Sequence, residues 1–199
     1  MKITVISGSP HKEGTSALLV NEFIRGAEEA GHEVYRFDAA YRSVHPCMAC
    51  DKCLADGGRC VYQDDMTELS EKIIGSDAVI FASPIYYNDI CGQLKVTIDR
   101  FYAKDAEMKG AKKTALLLSF GDDTMEAVEG VVGNFKAMIG YFGWKLAGPG
   151  VVAAVGCSTA DDVKKTSIPQ KAYELGKNIY IKDLFQEEFC NENFIIKKK

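Results

Sequence analysis

Lys2-Ile3-Thr4-Val5-Ile6-Ser7-Gly8-Ser9-Pro10-His11-Lys12-Glu13-Gly14-Thr15-Ser16 begins as an alternating, β-branched stretch and passes without pause into a glycine- and hydroxyl-rich turn. The first part reads as a strand and Gly8 to Ser16 as the turn that follows it. Ala17, Leu18, Val20, Phe23, Ile24 and Ala27 then recur at helical spacing, with Gly31 as the stop. A helix that starts directly behind such a turn offers unpaired backbone N–H groups and partial positive charge to an anion. Ser9, Thr15 and Ser16 add three hydroxyls, and His11 adds a ring N–H. A helix cap uses one hydroxyl, so three of them point to a ligand rather than to a turn alone. The stretch is not Gly-x-Gly-x-x-Gly and does not end in Gly-Lys-Ser/Thr, which removes the dinucleotide and triphosphate readings. A single phosphomonoester remains.

Outward from this loop the alternation of strand and helix repeats. Residues 33–37 form a short second strand, 66–74 a helix, and 78–82 a continuous apolar run of the kind found in a strand buried on both faces of a parallel sheet. A loop over 85–92 precedes a helix from about 93 to 103. Residues 113–119 read as a fourth strand, 124–142 as a long helix, 148–155 as a fifth strand and 170–185 as a closing helix. Five strands alternating with helices imply an α/β three-layer sandwich, because right-handed crossovers cover both faces of a parallel sheet. Length and loop positions favour the flavodoxin-like order 2-1-3-4-5 over a six-stranded dinucleotide fold. Ligands then bind outside the carboxyl ends of the strands, at the loops after Ser7, Ala82 and Ser119.

The chain has 199 residues, of which 47% are hydrophobic, enough for one domain over 1–199 to bury a core without disulfides. Its formal net charge of -4 lacks the positive field that concentrates nucleic acid or anionic lipid. The basic run 197–199 reads as a solvated end. No apolar stretch approaches bilayer length, and the amino terminus enters the glycine loop with no room for a signal sequence, so a soluble, cytoplasmic protein is expected.

The first loop resembles that of the NADPH-dependent FMN reductase and iron-sulfur flavoprotein group, which commonly reads Gly-Ser-Pro-Arg-x-x-Gly-Asn-Thr. His11 replaces the usual arginine, and Thr15-Ser16 replaces Asn-Thr, so donors are kept while fixed charge is weakened. A second signature of the group, Pro-Ile-Tyr leading to Gly-x-Leu-Lys and then Asp-Arg, is matched by Pro84-Ile85-Tyr86, by Gly92-Gln93-Leu94-Lys95 and by Asp99-Arg100. The resemblance spans about the first hundred residues. It implies a flavodoxin-like fold holding FMN, with the phosphate at Ser9, His11, Gly14, Thr15 and Ser16. The flavin ring would then be oriented by Pro84, Ile85, Tyr86, Tyr87 and Asn88, with its edge near Ser119 and Gly121. Asp99 and Arg100 are expected to serve as a helix-borne ion pair or subunit contact. No acid-base residue is named, since His11, His32 and His45 are scattered.

Seven cysteines are present, and four crowd into the insertion-like segment 41–65: Cys47, Cys50, Cys53 and Cys60. Such crowding favours metal or redox chemistry over a disulfide framework. The spacing suits one cubane, zinc held by four sulfurs, or free and reversibly oxidised thiols. It resembles the compact motif of iron-sulfur flavoproteins, which implies a [4Fe-4S] cluster passing electrons to FMN. Cys91, Cys157 and Cys190 read as ordinary small apolar residues. The resulting expectation is an FMN-dependent oxidoreductase using NAD(P)H as substrate, in a homodimer or homotetramer with small-molecule electron donor and acceptor. A flavodoxin-type electron carrier without turnover of its own is the alternative, and a thiol-based sensor built on the cysteine segment is a third reading.

Overall fold

A computed structural model describes residues 1–180 and 195–196. Its strands are β1 (Lys2–Ser7), β2 (Glu33–Asp38), β3 (Ala78–Tyr86), β4 (Asp89–Ile90), β5 (Lys113–Phe120), β6 (Lys145–Val155) and β7 (Ile195–Ile196). The helices are α1 (Thr15–Glu29), α2 (Lys52–Ala55), α3 (Met66–Ile74), α4 (Gly92–Asp99), α5 (Asp105–Met108), α6 (Met125–Phe142), α7 (Ala160–Lys164) and α8 (Ile168–Lys177). Short 3-10 turns occupy Ala39–Tyr41 and Arg100–Lys104.

The sheet runs β2-β1-β3-β5-β6-β7, all parallel, with β4 folded back antiparallel on β3. Leaving β4 aside, the first five parallel strands stand in the expected order 2-1-3-4-5. Alternation sorts side chains to two faces. Ile3, Val5, Ile80, Leu117 and Val152 face α1 and α8, whereas Ile6, Phe81, Leu116 and Leu118 face the layer that contains α3, α4 and α6. The second face is aromatic: Phe81 packs against Phe101, Phe135 and Trp144, with centroids 6.4, 5.5 and 6.3 Å away. Among the described residues no helix is long and apolar enough to cross a membrane.

Several boundaries differ from the sequence reading for physical reasons. β3 continues beyond Ala82 to Tyr86, because β4 gives its end a hydrogen-bonding partner: Ile85 pairs with Ile90 and Tyr86 with Asp89. The expected loop over 85–92 is therefore a hairpin, turned by Tyr87 and Asn88 at φ 50 and 63°. Ser83 helps to close it, its hydroxyl accepting the Cys91 N–H at 2.9 Å. The helix after it tightens into the 3-10 turn at Arg100 instead of continuing regularly to 103. β6 starts earlier than expected, at Lys145, and its pairing with β5 slips between Thr114 and Leu116. The closing helix is seen as Ile168–Lys177; the part of that expectation beyond 180, like Cys190 and the run 197–199, lies outside the described residues.

Candidate functional site

β1 leads to β2 on one side and β3 lies on the other, so the chain diverges at the carboxyl end of β1 and opens a crevice there. The register brings the ends level: Ser7 pairs with Ala82, and Pro84 with Ser119. The loops after Ser7, Ala82 and Ser119 therefore meet at one edge.

The loop after β1 is held from below by the Gly8 N–H donating to Ala82 O at 2.9 Å. Gly8 is required there, since a Cβ at this position would meet Cys91 Sγ at 2.5 Å and Leu94 Cβ at 2.7 Å. Ser9 is buried, and its hydroxyl accepts the His11 N–H at 3.2 Å; His11 itself is exposed. Gly14 stands at the N-cap of α1 with no side chain to cap it, and the Leu18 N–H is the one that takes the Gly14 carbonyl. The amides of Thr15, Ser16 and Ala17 are thus the first-turn donors with no carbonyl of their own helix to bond. Above them Thr15 Oγ1 donates to Ser119 Oγ at 2.9 Å, and the Ser16 and Ser119 hydroxyls lie 2.7 Å apart. Ser119 is thereby tied by hydrogen bonds to the loop after β1. On the far side Tyr41 OH donates to Pro10 O, and Lys12 Nζ sits 4.7 Å over the Tyr41 ring. Ser7, Ser9, His11, Lys12, Arg36, Asp38 and Tyr41 line a cavity beside the loop.

The β3–β4 hairpin supplies the second wall. Pro84 and Ile85 are buried in it, while Tyr86 and Tyr87 are 45% and 104% exposed at its tip with Asn88. Gly121, exposed just past β5, belongs to the third loop. That loop is tied to the one after β6, Gly156 N–H donating to Asp122 O and Cys157 N–H to Phe120 O, each at 2.9 Å.

Cys47, Cys50, Cys53 and Cys60 line one pocket, together with Tyr62, Arg100 and Tyr102. Cys53 is buried, Cys60 partly buried, and Cys47 and Cys50 exposed; burial pushes the Cys53 thiol up. The segment's ends are stitched together: Ser43 N–H donates to Asp65 Oδ2 at 2.8 Å and Asp65 N–H returns to Ser43 O at 3.0 Å. His45 stacks on Tyr62, with ring centroids 4.6 Å apart. Among the described residues no three His, Cys, Asp or Glu side chains are grouped to hold a metal ion as placed.

Asp99 and Arg100 part company. Asp99 pairs with Lys95 on the exposed face of α4, and Arg100 makes a buried two-pronged pair with Asp64, both side chains 2% exposed. Nη1 reaches Asp64 Oδ2 at 2.6 Å and Nη2 reaches Oδ1 at 3.0 Å. Burial alone would raise the Asp64 carboxyl, but Arg100 and the His45 and Met66 N–H groups outweigh it and hold it below its ordinary value. This pair was missed in sequence because 36 positions separate its partners; the second signature's Asp-Arg was the one pointer to it.

A family model described as NADPH-dependent FMN reductase matches residues 1–155. An iron-sulfur flavoprotein of Archaeoglobus fulgidus is 32% identical over 184 residues, covering 90% of this chain and 79% of that one. One of Methanosarcina thermophila is 39% identical over 100 residues, 50% of this chain and 52% of the relative, so the chain spans about half the length of several of the relatives it matches. Among solved structures, RosB superposes with a TM-score of 0.74 at 15% identity, covering 90% of this chain and 77% of RosB. An NAD(P)H:quinone oxidoreductase from Methanothermobacter marburgensis gives 0.67 at 22%, covering 90% and 96%. Both show a shared fold.

Proposed function

This chain belongs to the NADPH-dependent FMN reductase family, and on that footing we propose that it is an FMN-dependent oxidoreductase, in which NAD(P)H reduces the flavin and a small-molecule acceptor reoxidises it. The observation that carries this reading is the uncapped amino end of α1, faced by the Thr15, Ser16 and Ser119 hydroxyls. Three free amides, three hydroxyls and the helix dipole suit a phosphoryl dianion, and Gly8 lets the backbone approach closely. Ser9, His11, Gly14, Thr15 and Ser16 would hold the phosphate. Pro84, Ile85, Tyr86, Tyr87 and Asn88 would orient the ring from the hairpin, and Gly121 would border it. The flavin, when bound, supplies hydride and electron transfer; the protein supplies binding and orientation.

A [4Fe-4S] cluster on Cys47, Cys50, Cys53 and Cys60 is the finer part of the proposal. In its support, Cys47, Cys50, Cys53 and Cys60, four residues able to supply thiolates, line one pocket. The iron-sulfur flavoproteins that the chain resembles support it further. We also infer one FMN-binding domain over 1–199 with segment 41–65 as its insertion, assembled as a homodimer or homotetramer.

Steady-state oxidation of NADH and NADPH by the FMN-loaded protein, with ferricyanide or a quinone as acceptor, tests the activity. Multiple turnovers per flavin are expected. Reduction of the flavin without turnover would leave an electron carrier of flavodoxin type in its place.

A further inference from the structure

We propose that Arg100 is a positioning residue of the cysteine pocket: its two Nη groups are committed to the protein, and its Nε–H is kept for the sulfur of Cys60 when that thiolate ligates the cluster, so that Arg100 sets the reduction potential there. The inference rests on the cluster reading given above. The guanidinium is planar and forked, and its Nη1 donates to Asp64 Oδ2 at 2.6 Å and His45 O at 2.7 Å while Nη2 donates to Asp64 Oδ1 at 3.0 Å. Three of its five N–H groups are so used, and the plane they fix leaves Nε–H and one N–H of Nη2 without freedom to turn elsewhere. Nε is buried and has no acceptor in the protein.

A purely structural ion pair accounts for the Nη contacts and leaves this donor unexplained, and buried donors without acceptors are costly enough to be rare. Arg100 lines the pocket that the four cysteines also line, with Tyr62 beside it, its ring 5.4 Å from the guanidinium carbon. Cys60 lines that same pocket, and after Asp64 it is the group that favours the buried cation. The same guanidinium fixes the loop, since Asp64 also accepts the His45 N–H at 3.0 Å. Hydrogen bonds to ligand sulfur and a nearby cation stabilise the more negative, reduced state of a cluster, so Arg100 raises its potential.

The test uses the full chain, purified without oxygen, with FMN bound and the cluster reconstituted. Iron and sulfide are assayed, and one-electron reduction by dithionite is followed by electron paramagnetic resonance. The wild type is expected to carry about four irons per chain. Arg100→Lys keeps a positive charge but loses the fork and Nε, and should retain iron while its reduction equilibrium shifts at least tenfold toward the oxidised form, about 59 mV lower for one electron. Should Arg100→Lys misfold or lose iron, the paired change Asp64→Asn with Arg100→Gln, which buries no lone charge, decides in the same way. A retained cluster with an unchanged potential in the deciding variant overturns the proposal alone. Iron lost from both variants while FMN still binds reduces Arg100 to a structural role and overturns it too. A wild type that takes up no iron removes the cluster reading, and the proposal with it.

Discussion

At Gly8 a single added carbon separates tight packing from a clash. The Ala82 carbonyl holds its N–H, and Cys91 Sγ and Leu94 Cβ leave no space for a methyl group. Gly8→Ala should therefore cost roughly 1–3 kcal/mol and weaken FMN binding by pushing the loop from α4; urea melts and flavin titration measure the two. Asp64 gives a pH prediction. Its folded carboxyl titrates below the unfolded value, so the pair's contribution is fully present above the ordinary carboxylate range and is lost as pH falls through the lowered folded value. Asp64→Ala strands a buried guanidinium and should cost about 3–5 kcal/mol near neutrality, the deficit against wild type shrinking in acid melts. An acid-independent deficit would contradict this. The turn between β1 and α1 was legible in sequence because its signals are local, hydroxyls and glycines within nine positions of a strand end. Ser119 and Asp64 take their roles from partners more than thirty positions away, which no local pattern encodes.

Among the elements, α1 and α8 approach unusually closely because each places a glycine at the crossing. A Cβ on Gly26 would meet Tyr173 O at 2.0 Å, and one on Gly176 would meet Phe23 O at 2.0 Å. Gly26→Ala, favourable for an isolated helix, should here destabilise by roughly 3 kcal/mol, read as a lower urea midpoint at constant slope. β1 was legible from its alternation and β-branched residues, β3 from its continuous apolar run, and α3 from its helical spacing, since burial on two faces or one writes a plain pattern. The β3–β4 hairpin was not, because Tyr87 and Asn88 turn it at positive φ without the glycine that usually marks such turns. Tyr87→Gly should relieve about 1 kcal/mol of that strain. If Tyr87 also orients the flavin, the more stable variant binds FMN more weakly, and thermal melts with and without FMN separate the two effects.

For the whole molecule, the parallel order puts three strand ends, the amino end of α1 and the hairpin at one edge, so a ligand bound as proposed would touch elements that are otherwise far apart in sequence. Binding there must stabilise the entire fold by linkage. At a free FMN concentration about 100 times its Kd the gain is about 2.7 kcal/mol, equivalent to roughly 5–10 °C for a chain of this size. Riboflavin offers the same ring without the phosphoryl group, so the phosphate anchor predicts that riboflavin at the same concentration raises the melting temperature far less. Ser16→Ala together with Ser119→Ala should erase much of the difference between the two ligands while leaving the riboflavin response unchanged. Equal stabilisation of the wild type by riboflavin and FMN would mean that the ring alone provides the affinity and that the amides of Thr15, Ser16 and Ala17 serve some other anion.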